Sequence, residues 1–226
     1  MVHKTNSDVL LETVPLKGKV VVDVGCGDGA LVRLMAGQGA RVTGIETNPK
    51  QLAKARATNR VADETYIDGI AQSLPMKEGS VDVVVFSNSL HHVPVEDQGR
   101  ALAEAERVLV PGGVIFISEP LAEGSNVDVV RVVHDETVVR AKALEAIRAA
   151  SQWGLEPVRE MTHVQHSRVA DFEAFRQRQI AVDPTRAAVV DERQTEIRAA
   201  FERHGRRAED GWWFDQPMRI NLLRKR

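Results

Sequence analysis

The stretch from Val20 to Gly29, VVVDVGCGDG, constrains the fold of this chain more than any other segment. Its run of β-branched residues predicts a strand that is buried on both faces, and its glycines predict a sharp turn. The following segment, residues 30–35, carries apolar side chains at helical spacing, which predicts a helix packed back onto the sheet. Because glycines let a backbone approach a ligand closely, the strand, turn and helix predict a cradle for a nucleoside-based ligand.

The glycine turn alone leaves two cofactor classes open. Gly25, Gly27 and Ala30 satisfy the G-x-G-x-x-G/A pattern of dinucleotide-binding proteins. A nicotinamide-dependent oxidoreductase is therefore one alternative at this point, and other nucleoside cofactors are compatible with the same turn.

Length and composition favour one domain of ordinary size. The chain has 226 residues, of which 43% are hydrophobic, enough for a substantial core. Lys plus Arg number 30 against 32 for Asp plus Glu, so the net charge of -2 gives no bulk electrostatic case for nucleic acid or an anionic membrane as a partner.

The cysteine content and the hydropathy of the chain predict its cellular compartment. Cys26 is the only cysteine, which excludes an intramolecular disulfide and a multi-cysteine zinc site. We interpret it as a small packing side chain inside the turn. No segment has the length of a signal-peptide core or approaches the ~20 apolar residues of a membrane span. We expect a cytoplasmic protein with no membrane partner.

Strands and helices alternate along the first half of the chain. Further strands are predicted at residues 40–46, 65–68, 81–86 and 114–118, with helices opening at Asn48 and at Val93 between them. This alternation predicts right-handed βαβ units and a mostly parallel, doubly wound sheet.

The second half is less regular. We predict a helix over residues 126–151, a long strand over 155–169, helices over 171–180 and 184–204, and a last strand over 212–223. The segment 171–205 is predicted to be a helical insertion between the last two strands.

Three acidic residues stand at or near predicted strand ends, where ligands of open α/β sheets bind. A carboxylate at Glu46 can accept two hydrogen bonds from ribose hydroxyls, and one at Asp68 can accept from an exocyclic adenine amine. Asp23, just before the glycine turn, is placed to hold a cationic amine or to orient the loop through water. Three carboxylates without a nearby Arg or Lys disfavour a pyrophosphate and favour the sulfonium and amino groups of S-adenosylmethionine.

Four segments in fixed order resemble the catalytic core of class I S-adenosylmethionine-dependent methyltransferases, specifically the methyltransferase type 11 group. They are VVDVGCGDG, GIETNP, DGIAQSLPMKEGSVDVVVFSNSLHHV and RVLVPGGVIFISEP, all within residues 20–120. The resemblance implies a Rossmann-like, seven-stranded α/β sheet in the order 3-2-1-4-5-7-6 with strand 7 antiparallel.

The same resemblance implies a cofactor site for S-adenosylmethionine and its product S-adenosylhomocysteine. It places the glycine turn around the methionine moiety, Glu46 on the ribose and the segment after Asp68 around the adenine. The segment after strand four would lie beside the transferring methyl group. The cofactor-binding residues predicted in this way are Asp23, Gly25, Cys26, Gly27, Gly29, Glu46, Thr47, Asn48, Asp68, Gly69, Ile70, Ala71, Ser87 and Asn88.

His91 and His92 are the candidate catalytic residues. If the acceptor is a hydroxyl, a histidine after the fourth strand could serve as its general base. The alternative is structural, with one histidine packed under the adenosyl group and the other capping a helix. We assign no metal site, because His163 and His166, three apart on a predicted strand, would point to opposite faces.

The acceptor is predicted by analogy with the family to be a small molecule. Base methylation of nucleic acid is disfavoured, because the Asn/Asp-Pro-Pro-Tyr/Phe turn of those enzymes is replaced by Ser87 to Leu90. A protein acceptor and a non-catalytic cofactor-binding module stay open.

We expect one methyltransferase domain over residues 1–226. Its core, 1–118, would bind the cofactor, and 119–226 would bind the acceptor, with a helical lid at 171–205. Neither the acceptor atom nor the oligomeric state follows from the sequence.

Overall fold

The computed structural model of the chain describes residues 4–226. These residues form two compact units. The larger unit comprises residues 6–119, 141–162 and 219–226, and the smaller one comprises residues 4–5, 120–140 and 163–218.

The strands of the sheet run in the order β3-β2-β1-β4-β5-β8-β6, and the larger unit contains β1 to β4 with residues 109–119 of β5, 155–162 of β6 and 219–225 of β8. The bounds of these strands are β1 Val20–Val24, β2 Arg41–Glu46, β3 Thr65–Asp68, β4 Val81–Ser87, β5 Leu109–Pro120, β6 Leu155–Val169 and β8 Gly211–Lys225. Neighbouring strands from β3 to β5 pair in parallel. β6 and β8 are antiparallel, since the Arg226 N–H, after the end of β8, donates to the Gly154 carbonyl, before the start of β6.

Alternation along β1 divides the core of the larger unit between the two faces of the sheet. Val22 and Val24 belong to one apolar cluster, which also contains residues of the helices 98–108 and 137–148. Val21 belongs to another, which also contains residues of the helices 6–13 and 30–37. A central strand with both faces covered needs apolar side chains in both directions, which explains the three consecutive valines Val20–Val22. The bounds of the helices are α1 Asn6–Thr13, α2 Ala30–Gly37, α3 Pro49–Ala57, α4 Gln98–Val108 and α6 Thr137–Arg148.

Local sequence signals explain where several of these helices begin. α2 follows Gly29, which has a left-handed conformation with φ of 78°. At the start of α3, the Asn48 side chain accepts from the backbone N–H groups of Lys50 and Gln51, and Pro49 occupies the first helical position. The predicted Asn48 cap is therefore present in the structure.

The smaller unit is mostly helical. An aromatic cluster of Phe172, Phe175, Phe201 and Phe214 forms its core, with ring centroids 5.1–6.5 Å apart. A short strand pairs with β8 in an antiparallel hairpin. The bounds of these elements are α5 Ser125–Val130, α7 Phe172–Val182, α8 Ala187–Glu192, α9 Gln194–His204 and β7 Arg206–Ala208.

The predicted strand order is confirmed, with β8 in the place of the predicted strand 7 and the helices α7 to α9 between it and β6. Over residues 4–226 the sheet has eight strands rather than seven, because the hairpin strand β7 pairs with β8. Neither this strand nor α1 was predicted from the sequence.

Two predicted boundaries in the first half of the chain are wrong. α4 begins at Gln98 and not at Val93, after a 3-10 turn at Val95–Asp97. β5 begins at Leu109 instead of residue 114, because Leu109 pairs with Val81 before the register shifts at the Pro-Gly-Gly segment.

Two long helices predicted in the second half are each interrupted. The helix predicted over 126–151 is two helices, since Asp135 accepts from the Thr137 N–H and starts a new one. The helix predicted over 184–204 is likewise interrupted at Arg193, between α8 and α9.

Over residues 4–226, no helix combines the length and the apolar character needed to cross a bilayer.

Candidate functional site

The glycine turn after β1 is shaped by three left-handed glycines. Gly25, Gly27 and Gly29 have φ angles of 76°, 57° and 78°, which side chains rarely adopt. A Cβ at Gly25 would lie 2.6 Å from Ser89 Cβ, and one at Gly29 would lie 2.5 Å from the Tyr66 ring. A Cβ at Gly27, by contrast, would meet no heavy atom within 4 Å, so the space beside this glycine is open.

Five of the six backbone N–H groups from Gly25 to Ala30 have acceptors within residues 4–226, Asp28 being the exception. Gly25 and Cys26 donate to the Ile45 carbonyl, at 2.8 and 3.0 Å, and Gly27 donates to Glu46 Oε2 at 2.8 Å. The Gly29 and Ala30 N–H groups also have acceptors, the Cys26 carbonyl and Asp28 Oδ1. A turn that holds a pyrophosphate presents free N–H groups to it, so this turn is poorly suited to a dinucleotide despite its glycine spacing.

Cys26 is a packing residue. Its buried sulfur lies where a Cβ at Gly44 would be only 2.6 Å away, so Gly44 gives the thiol its space on β2. Burial raises the pKa of the thiol, and the nearby carboxylates of Asp23 and Glu46 raise it further. The raised pKa keeps the thiol protonated at neutral pH, which disfavours a nucleophilic role.

Glu46 ties the end of β2 to both neighbouring loops. Oε2 accepts from the Gly27 N–H at 2.8 Å, and Oε1 accepts from the Asn48 N–H at 2.7 Å. A carboxylate oxygen has a second lone pair, so both oxygens can accept one further hydrogen bond each. The side chain is thereby fixed in place and still able to bind a diol.

Asp23 is the most deeply buried carboxylate of the turn. It is 2% exposed and makes no side-chain hydrogen bond or ion pair with residues 4–226. Burial raises the pKa of Asp23 to about 7, and the negative charge of Glu46 contributes to the same shift. A buried acid without a partner is costly, and a cationic group bound beside it would relieve that cost.

A cavity of about 360 Å³ opens at the carboxyl edge of the sheet in the larger unit. This volume is within the range of small-molecule and cofactor sites. One carboxylate and no Lys or Arg contribute to the lining, which suits a ligand without phosphate groups. The lining residues are Val24, Gly25, Ile45, Glu46, Thr47, Gly69, Ile70, Ala71, Gln72, Asn88, Ser89, His92, Val93 and Pro94.

Half of the fourteen residues predicted to bind the cofactor line this cavity. Those that do are Gly25, Glu46, Thr47, Gly69, Ile70, Ala71 and Asn88, and those that do not are Asp23, Cys26, Gly27, Gly29, Asn48, Asp68 and Ser87. Asp68 stands in register with Glu46 at the exposed end of β3.

The segment after β4 has an unusual backbone. Asn88 has a φ of 55°, and among residues 4–226 it is the only non-glycine with a positive φ. Its N–H donates to the Ser118 carbonyl at 2.8 Å, and Ser89 Oγ donates to the Val24 carbonyl at 2.6 Å. Uncommon backbone conformations of this kind cluster at binding sites, and here the conformation carries the chain along the cavity wall.

The two candidate histidines occupy different environments within the 3-10 turn Leu90–His92. His92 is exposed and lines the cavity, whereas His91 is buried and does not. The His91 ring bonds through Nδ1 to Glu119 Oε2, and Glu119 Oε1 accepts from the Leu90 N–H at 3.0 Å. Glu119 thus fixes the turn that carries both histidines.

Sequence reasoning missed several residues of this site. Glu119 lies near the end of the segment RVLVPGGVIFISEP, and an acid close to a strand end could have marked it, as it marked Glu46. Gln72, Val93 and Pro94 lie within or just after the motifs without any distinguishing chemistry, so the sequence offered no signal for them.

Residues 22–117 match the family described as a methyltransferase domain. The chain is 39% identical over 110 residues to a ubiquinone biosynthesis O-methyltransferase of Thiobacillus denitrificans, a match covering 46% of this chain and 45% of that protein. It is 34% identical over 163 residues to the 27-O-demethylrifamycin SV methyltransferase of Amycolatopsis mediterranei, covering 67% of this chain and 59% of that one. The chain spans about half the length of the curated relatives it matches.

The fold also matches that of solved structures. An S-adenosylmethionine-dependent methyltransferase of Mesorhizobium loti superposes with a TM-score of 0.55 at 19% identity, over 98% of either chain. At this identity the similarity shows the fold alone.

Proposed function

Since this chain carries a class I S-adenosylmethionine-dependent methyltransferase domain at residues 22–117, we propose that it transfers a methyl group from S-adenosylmethionine to a small-molecule acceptor. The observation that carries the proposal is the lining of the cavity at the sheet edge, with Glu46 as its carboxylate and no Lys or Arg. The occupied N–H groups of the glycine turn support the same choice over a dinucleotide.

We assign the cofactor to the larger unit. Glu46 would accept from the ribose hydroxyls, and the segment Gly69 to Ala71 would flank the adenine. Asp23 would face the cationic amino group, since it is a buried carboxylate without another partner in the described chain. Once bound, S-adenosylmethionine supplies the electrophilic methyl group.

We assign the acceptor to residues 119–226, with the helical segment 171–205 as a lid. The cofactor accounts for the motifs of the first half of the chain, which leaves the second half for the acceptor.

The two relatives named above align with this chain over 110 and 163 residues, and both are named for methylation of oxygen. A hydroxyl is therefore the acceptor group that we propose to assay first.

Within this mechanism His92 is the general base. It lines the cavity after β4, where it could take the proton from an acceptor hydroxyl as the new carbon–oxygen bond forms. Leu90 and His91 are held by Glu119, so these groups position the turn and do not themselves touch the acceptor. Alignment of the nucleophile with the methyl group can supply up to ~7 to 11 kcal/mol of the barrier.

Thermal shift with three ligands tests the function. S-adenosylmethionine and S-adenosylhomocysteine should raise the melting temperature with increasing concentration, whereas NAD should not, because stabilisation follows the ratio of ligand concentration to its dissociation constant. Release of S-adenosylhomocysteine in the presence of hydroxyl-bearing acceptors would then show turnover. Stabilisation by NAD alone would contradict the proposal, and cofactor binding without turnover on any acceptor would favour a non-catalytic module.

His92→Ala should lower kcat with a hydroxyl acceptor by about 100-fold or more at saturating cofactor, the contribution typical of general base catalysis. The affinity for S-adenosylhomocysteine should change little. Gln72→Ala is the matched control, since Gln72 lines the same cavity without a titratable group. Full turnover in His92→Ala would remove this residue from the mechanism, and an equal loss in both variants would mean that cavity shape, and not the imidazole, was responsible.

A further inference from the structure

The smaller unit contains a cavity of its own, of about 140 Å³. Five of its lining residues are apolar, and they come from helices α5 and α7 and strands β6 and β8. These are Val130, Val169, Phe175, Val182 and Phe214. Two of them, Phe175 and Phe214, belong to the aromatic core of the unit. An engineered apolar cavity of about 150 Å³ in another protein binds benzene, so this volume suits a group the size of one six-membered ring.

Three polar side chains of the lining have donor groups without partners. The Arg178 guanidinium, Gln179 Nε2 and Ser167 Oγ donate no hydrogen bond and form no ion pair with the part of the chain that the structure describes. Gln179 is only 6% exposed, and its Oε1 already accepts from Arg186, so the amide has its donor side left for a ligand. These three donor groups are therefore available to an acceptor group of a ligand in the cavity.

Another arginine on helix α7, Arg176, differs from Arg178 in its ion pairs. Arg176, two residues before Arg178, forms ion pairs with Glu173 at 2.7 Å and with Asp191 at 2.5 Å. Within residues 4–226, Arg178 has no such acid, and no Asp or Glu lines the cavity. The cavity therefore combines an apolar wall with an exposed arginine that has no acid partner in the described chain, which fits a ligand carrying a negative charge.

We propose that the smaller unit binds a compact apolar carboxylic acid, with one ring-sized group among Phe175, Phe214 and the valines. The carboxylate is held by Arg178, with Gln179 and Ser167 as further donors. Arg–carboxylate pairs are among the stronger hydrogen-bonded contacts in proteins. The site consists of residues of the smaller unit and needs no bound cofactor, so it can fail or succeed independently of methyl transfer.

Benzoate is the probe, titrated into the full chain in the absence of S-adenosylmethionine and followed by calorimetry and by the methyl resonances of labelled valines. We expect saturable binding that shifts the Val169 and Val182 methyl signals and leaves those of Val42, in the core of the larger unit, unchanged. Benzyl alcohol, which keeps the ring and lacks the charge, should bind at least about tenfold more weakly.

Arg178→Gln should weaken benzoate binding at least about tenfold and leave benzyl alcohol unaffected, since only the charged contact is lost. Arg203→Gln is the matched control, because Arg203 is another exposed arginine of the smaller unit that does not line the cavity. Two results would overturn the proposal: no valine shifts at ~10 mM benzoate, a concentration at which a site with a dissociation constant of about 1 mM is roughly 90% occupied, or equal weakening by both arginine variants.

Discussion

Glu46→Ala is expected to weaken S-adenosylhomocysteine binding by at least about 100-fold. Two hydrogen bonds from ribose hydroxyls to a charged acceptor, at about 1.5 kcal/mol each, add to about 3 kcal/mol, which corresponds to roughly this factor. The substitution also removes the acceptors of the Gly27 and Asn48 N–H groups, so the glycine turn loses its connection to β2. Calorimetric titration of the folded variant at 25 °C measures the effect.

Glu64 provides a matched control for this loss. Its carboxylate is also buried and also accepts from two backbone N–H groups, those of Val61 and Ala62, both at 2.8 Å. It does not line the cavity at the sheet edge. Glu64→Ala should therefore lower the free energy of unfolding and leave the dissociation constant nearly unchanged. If both variants lost binding equally, Glu46 would be a structural residue and the ribose assignment would be wrong.

Glu46→Gln tests whether cofactor binding depends on the hydrogen bonds that Glu46 accepts from the Gly27 and Asn48 N–H groups. The amide keeps one acceptor oxygen but presents an NH₂ group to either the Gly27 or the Asn48 N–H, where two donors would meet. We expect this variant to bind the cofactor nearly as poorly as the alanine variant. Retained affinity would indicate that neither N–H contact matters for the shape of the turn.

The parts of the molecule that the sequence predicted well are those with strong local signals. The valine run of β1, the Asn48 cap of α3 and the alternation of strands and helices required no knowledge of distant contacts. The predicted sheet order, in contrast, came from the family resemblance, because periodicity alone does not state which strands are neighbours. Element boundaries that depend on pairing, such as the start of β5 opposite Val81, were missed for the same reason.

In the candidate site, too, the residues with local sequence signals were predicted and those that depend on distant contacts were not. Glu46 and Asp68 could be identified as acids at the ends of strands, and the structure places them side by side in register. The roles of Glu119 and Gly44 depend on contacts between segments far apart in the sequence. Glu119 bonds to His91, 28 residues away, and Gly44 lies beside Cys26 of the glycine turn. The sequence also did not indicate that N–H groups of the turn have acceptors within the protein. The glycine pattern had suggested that these groups are free.

Asp23→Asn is expected to change stability and ligand affinity in opposite directions. In the unfolded chain the Asp23 carboxyl has the ordinary pKa of 3.8, and burial raises the pKa in the folded state to about 7. The folded state therefore holds its proton more tightly, and wild-type stability that is fully present below the unfolded pKa falls as the pH rises toward 7. At 1.36 kcal/mol per unit, the loss between pH 5 and pH 8.5 is about 3 kcal/mol.

Asparagine cannot ionise, so the variant avoids this loss. Urea unfolding at pH 5 and pH 8.5 should show that the difference in unfolding free energy, variant minus wild type, moves in favour of the variant by about 3 kcal/mol. Asp63→Asn, on the exposed loop before β3, is the control, and its difference should stay nearly constant over the same range.

Ligand binding should show the opposite preference, because the carboxylate that costs stability is the one proposed to face the cationic amine. S-adenosylhomocysteine should bind Asp23→Asn at least about tenfold more weakly than wild type at pH 8.5, given the ~1.5 kcal/mol of a hydrogen bond to a charged group. At pH 6.5 the wild-type Asp23 is partly protonated, so binding a cation beside it should release protons, seen as a buffer-dependent enthalpy that the variant lacks. If the unfolding free energies of wild type and Asp23→Asn changed in parallel with pH, Asp23 would ionise freely in the folded state. If the two proteins bound S-adenosylhomocysteine with equal affinity, the cationic amine would not lie beside Asp23.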